Sequence, residues 1–169
     1  MLTELGLNVA VIEGDIASSI DADALNALGI EAVQINTGGS CHLDAYMIKL
    51  ALAELKTTHG IIFIENVGNL ICPAGFDLAE DLKLLLASVP EGEDKPYKYI
   101  SIYAAVDMIA LNKWDMAQPF DFDLDRYSAG VEAINDSALF YKISAKTGEG
   151  IKEIAEILAE KYQEEFGKI

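Results

Sequence analysis

Apolar residues along this chain gather in six short runs, separated by longer stretches where they recur every three or four positions. The runs are residues 8–13 (NVAVIE), 31–36 (EAVQIN), 60–65 (GIIFIE), 82–89 (LKLLLASV), 108–113 (MIALNK) and 138–144 (ALFYKIS). Most are continuous rather than alternating, which suits strands covered on both faces. The leucines of 82–89 would suit a helix as well. Helical spacing predicts helices over 21–28, 43–55, 98–106, 123–134 and 151–165. In the last, Ile151, Ile154, Ile157, Leu158 and Tyr162 form one apolar stripe. Strands and helices in alternation require crossover connections. The expected fold is therefore α/β, a three-layer parallel sheet flanked by helices. No repeat, low-complexity tract or linker interrupts the 169 residues, so a single domain over 1–169 is expected.

Charge narrows the partners. There are 28 acidic residues against 12 basic ones, a formal charge of −16. Arg126 is the single arginine, and no lysine or arginine precedes Lys49. Phosphate affinity in nucleic-acid binding comes mainly from clustered Lys and Arg, so no nucleic-acid partner is expected. An anionic membrane is excluded on the same ground. No apolar run approaches the roughly 18–20 residues that span a bilayer, and Met1 is not followed by a basic segment. A cytoplasmic protein is expected. Cys41 and Cys72 are the only cysteines, which points to metal binding or reactivity rather than a disulfide framework.

In parallel sheets, ligands bind beyond the carboxyl ends of the strands, and the polar residues of this chain collect there. The first strand ends in Glu13-Gly14-Asp15, the second in Asn36-Thr37-Gly38-Gly39-Ser40-Cys41-His42, and the third in Glu65-Asn66-Val67-Gly68-Asn69 before Cys72-Pro73. The fifth ends in Asn112-Lys113-Trp114-Asp115 and the sixth in Ser144-Ala145-Lys146. An N-K-x-D run at a strand end suits guanine. The Asp115 carboxylate can accept from guanine N1–H and N2–H₂ and would repel adenine. The Lys113 stem can cover the purine, Asn112 can join neighbouring loops, and a backbone N–H of the Ser144-Ala145-Lys146 turn can reach guanine O6. Asp15 and Glu65 stand at the ends of strands expected to be neighbours. Together they suit a Mg²⁺ ion held with substrate phosphates, and Gly68 can offer its N–H to a terminal phosphate. Thiolate and imidazole at Cys41-His42 suit Ni²⁺ or Zn²⁺. Two adjacent residues cannot enclose an ion, so a further ligand is needed, either Cys72 or a second Cys-His pair across a two-fold interface. His59, at a turn, has no such context.

The runs Glu13-Gly14-Asp15, 34–45 (QINTGGSCHLDA), 63–74 (FIENVGNLICPA) and 89–96 (VPEGEDKP), with the guanine motif, resemble the hydrogenase nickel-incorporation GTPase family (HypB) over nearly the whole chain. The resemblance implies a P-loop GTPase fold of the SIMIBI type. It implies a GTP-hydrolysing metallochaperone that binds GTP or GDP with Mg²⁺ and helps place nickel in the large subunit of a nickel–iron hydrogenase. It also implies a GTP-dependent homodimer with Cys41 and His42 holding Ni²⁺ or Zn²⁺ at its interface, Cys72 contributing, and a partner nickel metallochaperone. Asp15 and Glu65 would lie in the segments that respond to nucleotide.

One departure is large. The phosphate-binding G-x-x-x-x-G-K-[ST] loop does not occur in the sequence. In the family a strand precedes that loop and a helix follows it; residues 1–6 are expected to correspond to the end of that helix. Three readings follow from this departure. The chain is the later part of a nickel-delivery GTPase, or a metal-binding and interaction module without hydrolysis, or a remnant of the fold without activity.

Overall fold

Valine, isoleucine and leucine runs with polar ends become strands, and the amphipathic stretches between them become the crossover helices. The computed structural model describes residues 1–57 and 59–167. Along the chain they form β1 (Val9–Asp15), α1 (Ile20–Ala27), β2 (Glu31–Asn36), α2 (Ala45–Glu54), β3 (Ile61–Glu65), β4 (Leu84–Ser88) and α3 (Lys95–Lys98). Then come α4 (Ile100–Ala105), β5 (Met108–Asn112), α5 (Leu124–Ile134), β6 (Leu139–Lys142) and α6 (Ile151–Phe166). The chain divides into two compact units, residues 80–154 and residues 1–79 with the stretch from Ala155 onward.

The first unit holds a parallel sheet in the order β2-β1-β3. β1 is central, and Ala10 and Ile12 are fully buried. Ile12 packs with Leu43, Ile48 and Ala51 on the α2 side, together with the partly buried Val33, Ile35, Ile62 and Ile64 from the flanking strands. Burying each such side chain contributes about 1.5–3 kcal/mol. Residues 1–7 make one helical turn closed in the manner of a helix C-terminus. Gly6 has φ +85°, and Leu7 N–H reaches back to Leu2 O at 3.1 Å.

The second unit holds a parallel sheet in the order β4-β5-β6. Met108, Ile109, Ala110 and Leu111 of the central strand are all fully buried. Tyr103 of α4 and Tyr127 of α5 share a buried hydrogen bond of 2.9 Å. Burial pushes the Tyr103 phenol up to about 12 and the Tyr127 phenol upward as well. Both units are parallel sheets flanked by helices, the α/β class expected from the sequence. The ambiguous leucine run is the strand β4.

Two helices differ from expectation. The predicted 98–106 helix is broken at Tyr99 (φ −122°, ψ 48°) into α3 and α4. Pro96 stands in the first turn of α3, where its missing N–H costs nothing, so the helical segment begins earlier. α2 starts at Ala45 rather than Leu43 because the Asp44 side chain caps it, accepting from Met47 N–H at 2.8 Å.

Candidate functional site

In the first unit the ends of the three strands carry the chemistry. β1 and β3 are neighbours, and the register sets Glu13 opposite Glu65. Asp15 lies two residues further on, opposite Asn36 of β2. The carboxylate facing Glu65 across the β1–β3 ladder is therefore Glu13. The Asp15 carboxylate accepts from Ala17 N–H at 2.8 Å and Ser18 N–H at 2.6 Å. These bonds, the Ala17 one foremost, hold its pKa below the usual range. It stays ionised at neutral pH, and its second oxygen makes no bond to these amides, so it fits a cation bound with phosphate. Glu13 is only 7% exposed. Burial, then the charges of Glu65 and Asp21, push it up to about 7. The one signal for Glu13 in the sequence is an acidic side chain closing an otherwise apolar run.

The loop after β2 brings Cys41 and His42 to the loop after β3. The Cys41 thiol donates to Cys72 Sγ at 2.8 Å, and Cys41 Sγ lies 3.7 Å from His42 Nδ1. One donor atom from each of the three residues lies within 4.8 Å of the others. Both thiols are free, Cys41 exposed and Cys72 half-buried. The hydrogen bond shared with Cys41, whose loss would accompany ionisation, then burial, raises the Cys72 thiol above its ordinary pKa. An arriving cation displaces these protons, so binding strengthens as pH rises. The His42 ring stacks on Phe76 with centroids 3.7 Å apart, which fixes its plane. Soft sulfur with imidazole is a donor set for Ni²⁺ or Zn²⁺ and a poor one for Mg²⁺.

Local sequence makes this arrangement. Gly38 and Gly39 both have positive φ, +61° and +106°, and turn the chain toward Cys41. Thr37 Oγ1 closes the turn by donating to Ser40 O at 2.8 Å. Leu43, fully buried, lies over Gly14 so closely that a Cβ there would meet its side chain at 2.7 Å. Two asparagines join the loops. Asn66 Oδ1 accepts from Leu43 N–H at 3.1 Å and Val67 N–H at 3.0 Å. Asn69 Oδ1 accepts from Ile71 N–H at 3.1 Å and Cys72 N–H at 2.8 Å, while its Nδ2 donates to Cys41 O. Gly68, between them, is exposed with φ +84°. Both asparagines stand in the strand-end string without any signal that marks them as ties.

In the second unit, Asn112, Lys113, Asp115, Ala145 and Lys146 line a cavity of about 390 Å³ with Pro90, Met116 and Phe120. Asn112 Oδ1 accepts from Lys113 N–H at 2.7 Å and from Ala145 N–H at 3.1 Å, joining the two loops. Lys113 itself is left-handed, φ +59°. The buried Ser144 donates its hydroxyl to Asp115 Oδ1 at 2.7 Å and accepts from Thr147 N–H at 3.2 Å. Lys146 Nζ stands 4.0 Å from the other Asp115 oxygen, an exposed and weak ion pair. Asp115 is thus oriented by Ser144 and lines this cavity. The Ala145 N–H, a candidate donor to guanine O6, points to Asn112.

The fold and these strand-end loops are of the nucleotide-binding α/β class, and one loop pair carries a Cys-His-Cys group able to hold a metal ion. The family model for the CobW/HypB/UreG nucleotide-binding domain matches residues 1–142, and the chain belongs to that family. Within it the similarity is to HypB. The chain is 49% identical over 146 residues to hydrogenase maturation factor HypB of Azotobacter vinelandii, covering 86% of this chain and 48% of that protein. It is 48% identical over 143 residues to the Escherichia coli K12 HypB, covering 84% and 49%. The chain thus spans about half the length of these curated relatives. Among solved structures, HypB from Helicobacter pylori in complex with nickel matches with a TM-score of 0.92 at 33% identity, over 99% of this chain and 80% of that one. HypB from Archaeoglobus fulgidus matches with a TM-score of 0.85 at 35% identity, over 93% and 77%. Among the described residues, no helix is long and apolar enough to cross a membrane.

Proposed function

We propose that the chain acts in hydrogenase maturation as the metal-holding part of a nickel-delivery GTPase. Its cargo is Ni²⁺, with Zn²⁺ as a competing ion, held by Cys41, His42 and Cys72. The observation that carries this reading is the meeting of two sulfur donors and one imidazole nitrogen within 4.8 Å, from two loops that follow different strands. The nickel-bound HypB structure, similar over almost the whole chain, supports it.

The remaining roles belong to the same proposal. Residues 1–169 act as one G domain. Asn112, Lys113, Asp115 and the Ser144-Ala145-Lys146 turn recognise guanine, with Asp115 reading N1–H and N2–H₂. Asp15 and Glu65 hold Mg²⁺ beside the phosphates, and Gly68 lends its N–H. Mg²⁺ would supply charge neutralisation of the phosphates when bound. GTP-dependent pairing of two chains, exchange with a nickel metallochaperone and delivery to the hydrogenase large subunit complete the reading, in the cytoplasm.

A second reading, metal binding and interaction without hydrolysis, is favoured by the absence of G-x-x-x-x-G-K-[ST] from the 169 residues. It predicts that this chain binds Ni²⁺ but shows no appreciable GTPase activity. Isothermal titration with Ni²⁺ tests the common core of both readings. Cys41→Ala and Cys72→Ser are expected to weaken binding at least about tenfold, since each loses a direct ligand. Unchanged affinity in both variants would refute the site. Phosphate release from GTP in the same preparation separates the two readings.

A further inference from the structure

The loop after β3 carries two asparagines three residues apart, and both reach the loop that bears Cys41 and His42. Asn66 fastens the base of that loop, at the buried Leu43. Asn69 acts at the ligands themselves. Its carboxamide oxygen takes the Cys72 N–H, and its nitrogen gives to the Cys41 carbonyl. Cys41 and Cys72 are 31 residues apart. Without such a tie, the separation of their thiols is left to two exposed loops.

We propose that Asn69 is the positioning residue of the metal site, clasping the Cys41 carbonyl and the Cys72 amide so that the two thiols meet. This rests on the proposed metal reading only for its biological use, because the clasp is a property of the metal-free loops. Asparagine is suited to it by chemistry. A single planar carboxamide presents an acceptor and a donor about two ångströms apart, so one side chain satisfies an amide on one loop and a carbonyl on the other. Asp would keep the acceptor but set a carboxylate against the Cys41 carbonyl oxygen. Ala would lose both contacts. The clasp also gives the loop beginning at Glu65 a direct mechanical hold on the ligands. A displacement of Gly68 and Asn69 would loosen the clasp without altering either cysteine.

The test uses two probes on the whole chain, wild type against Asn69→Ala and Asn69→Asp. Phenylarsine oxide, which binds paired thiols by forming two As–S bonds and releasing water, reports thiol proximity with no metal present. Ni²⁺ is followed by its thiolate charge-transfer absorption and by titration. Both variants are expected to bind each probe about 10–100-fold more weakly, the range seen when partners that orient metal ligands are removed. The charge-transfer band should weaken, while both thiols still react singly with a disulfide reagent and the far-ultraviolet circular dichroism is unchanged. Wild-type arsenical affinity in Asn69→Ala or Asn69→Asp would overturn the clasp. If Asn69→Ala fails to fold, the Asp variant decides. If wild type binds the arsenical but not Ni²⁺, the proposed function fails while the arsenical comparison still decides the role of Asn69.

Discussion

Glu13 is an acidic residue enclosed in a central strand, with Glu65 directly across the ladder. Its pKa of about 7 against an ordinary 4.5 means the folded chain holds a proton that the unfolded chain releases. The stability from that proton is fully present below about pH 4.5 and is lost as pH rises through 7. The loss amounts to about 3 kcal/mol between about pH 4 and pH 8. Glu13→Gln imitates the protonated form. Its stability advantage over wild type in urea unfolding should therefore grow across that interval, and a constant difference would contradict the assignment. Residue chemistry at strand ends was legible in sequence; which carboxylates face each other was not. Asp15 and Glu65 stand at the ends of neighbouring strands as expected, but which residue lies opposite Glu65 is set by register. A shift of two residues keeps every side chain on the same face and leaves no mark in the pattern.

Elements were the most legible level. The strands lie within two residues of their predicted bounds because buried apolar runs are bracketed by polar and glycine residues. Helix bounds fell equally close except at 98–106, where the break at Tyr99 and the earlier start at Lys95 left no periodic signal. Elsewhere caps such as Asp44 and Asp123 set the start by one hydrogen bond each. The joint between elements was invisible. β1 and the loop before α2 meet where Leu43 covers Gly14, and the sequence shows only a glycine and a leucine 29 positions apart. Gly14→Ala should cost about 1–3 kcal/mol as an overpacked contact. Combined with Leu43→Ala, the loss should fall short of the sum of the single losses by about 1 kcal/mol or more, because the clash is then absent. Denaturant midpoints of the four proteins give the cycle. Simple additivity would show that the two residues do not press on each other.

Across the whole molecule, a charge of −16 in 169 residues opposes compaction. Screening shortens the reach of that repulsion from about 30 Å at 0.01 M salt to 3 Å at 1 M. Raising NaCl at constant pH should therefore raise the melting temperature by about 2–4 °C, corresponding to roughly 1 kcal/mol for a chain of this size. A fall on adding salt would show that attractive ion pairs outweigh the net charge. Strand order was beyond the sequence, because alternation of strands and helices predicts a parallel sheet without saying which strand is central. Nor did any linker announce the division into two units, since their boundary at Glu80 falls in an ordinary acidic stretch.

That division has a consequence for how the chain acquires its structure. Residues 80–154 are continuous, so every contact within that unit is available once they have left the ribosome. The unit bearing the cysteines is discontinuous, for it draws on α6 from Ala155 onward. β3 ends at Glu65 and this part of α6 begins at Ala155, and contacts of such sequence separation form slowly. The loops carrying Cys41 and Cys72 are thus expected to order after residues 80–154 in refolding.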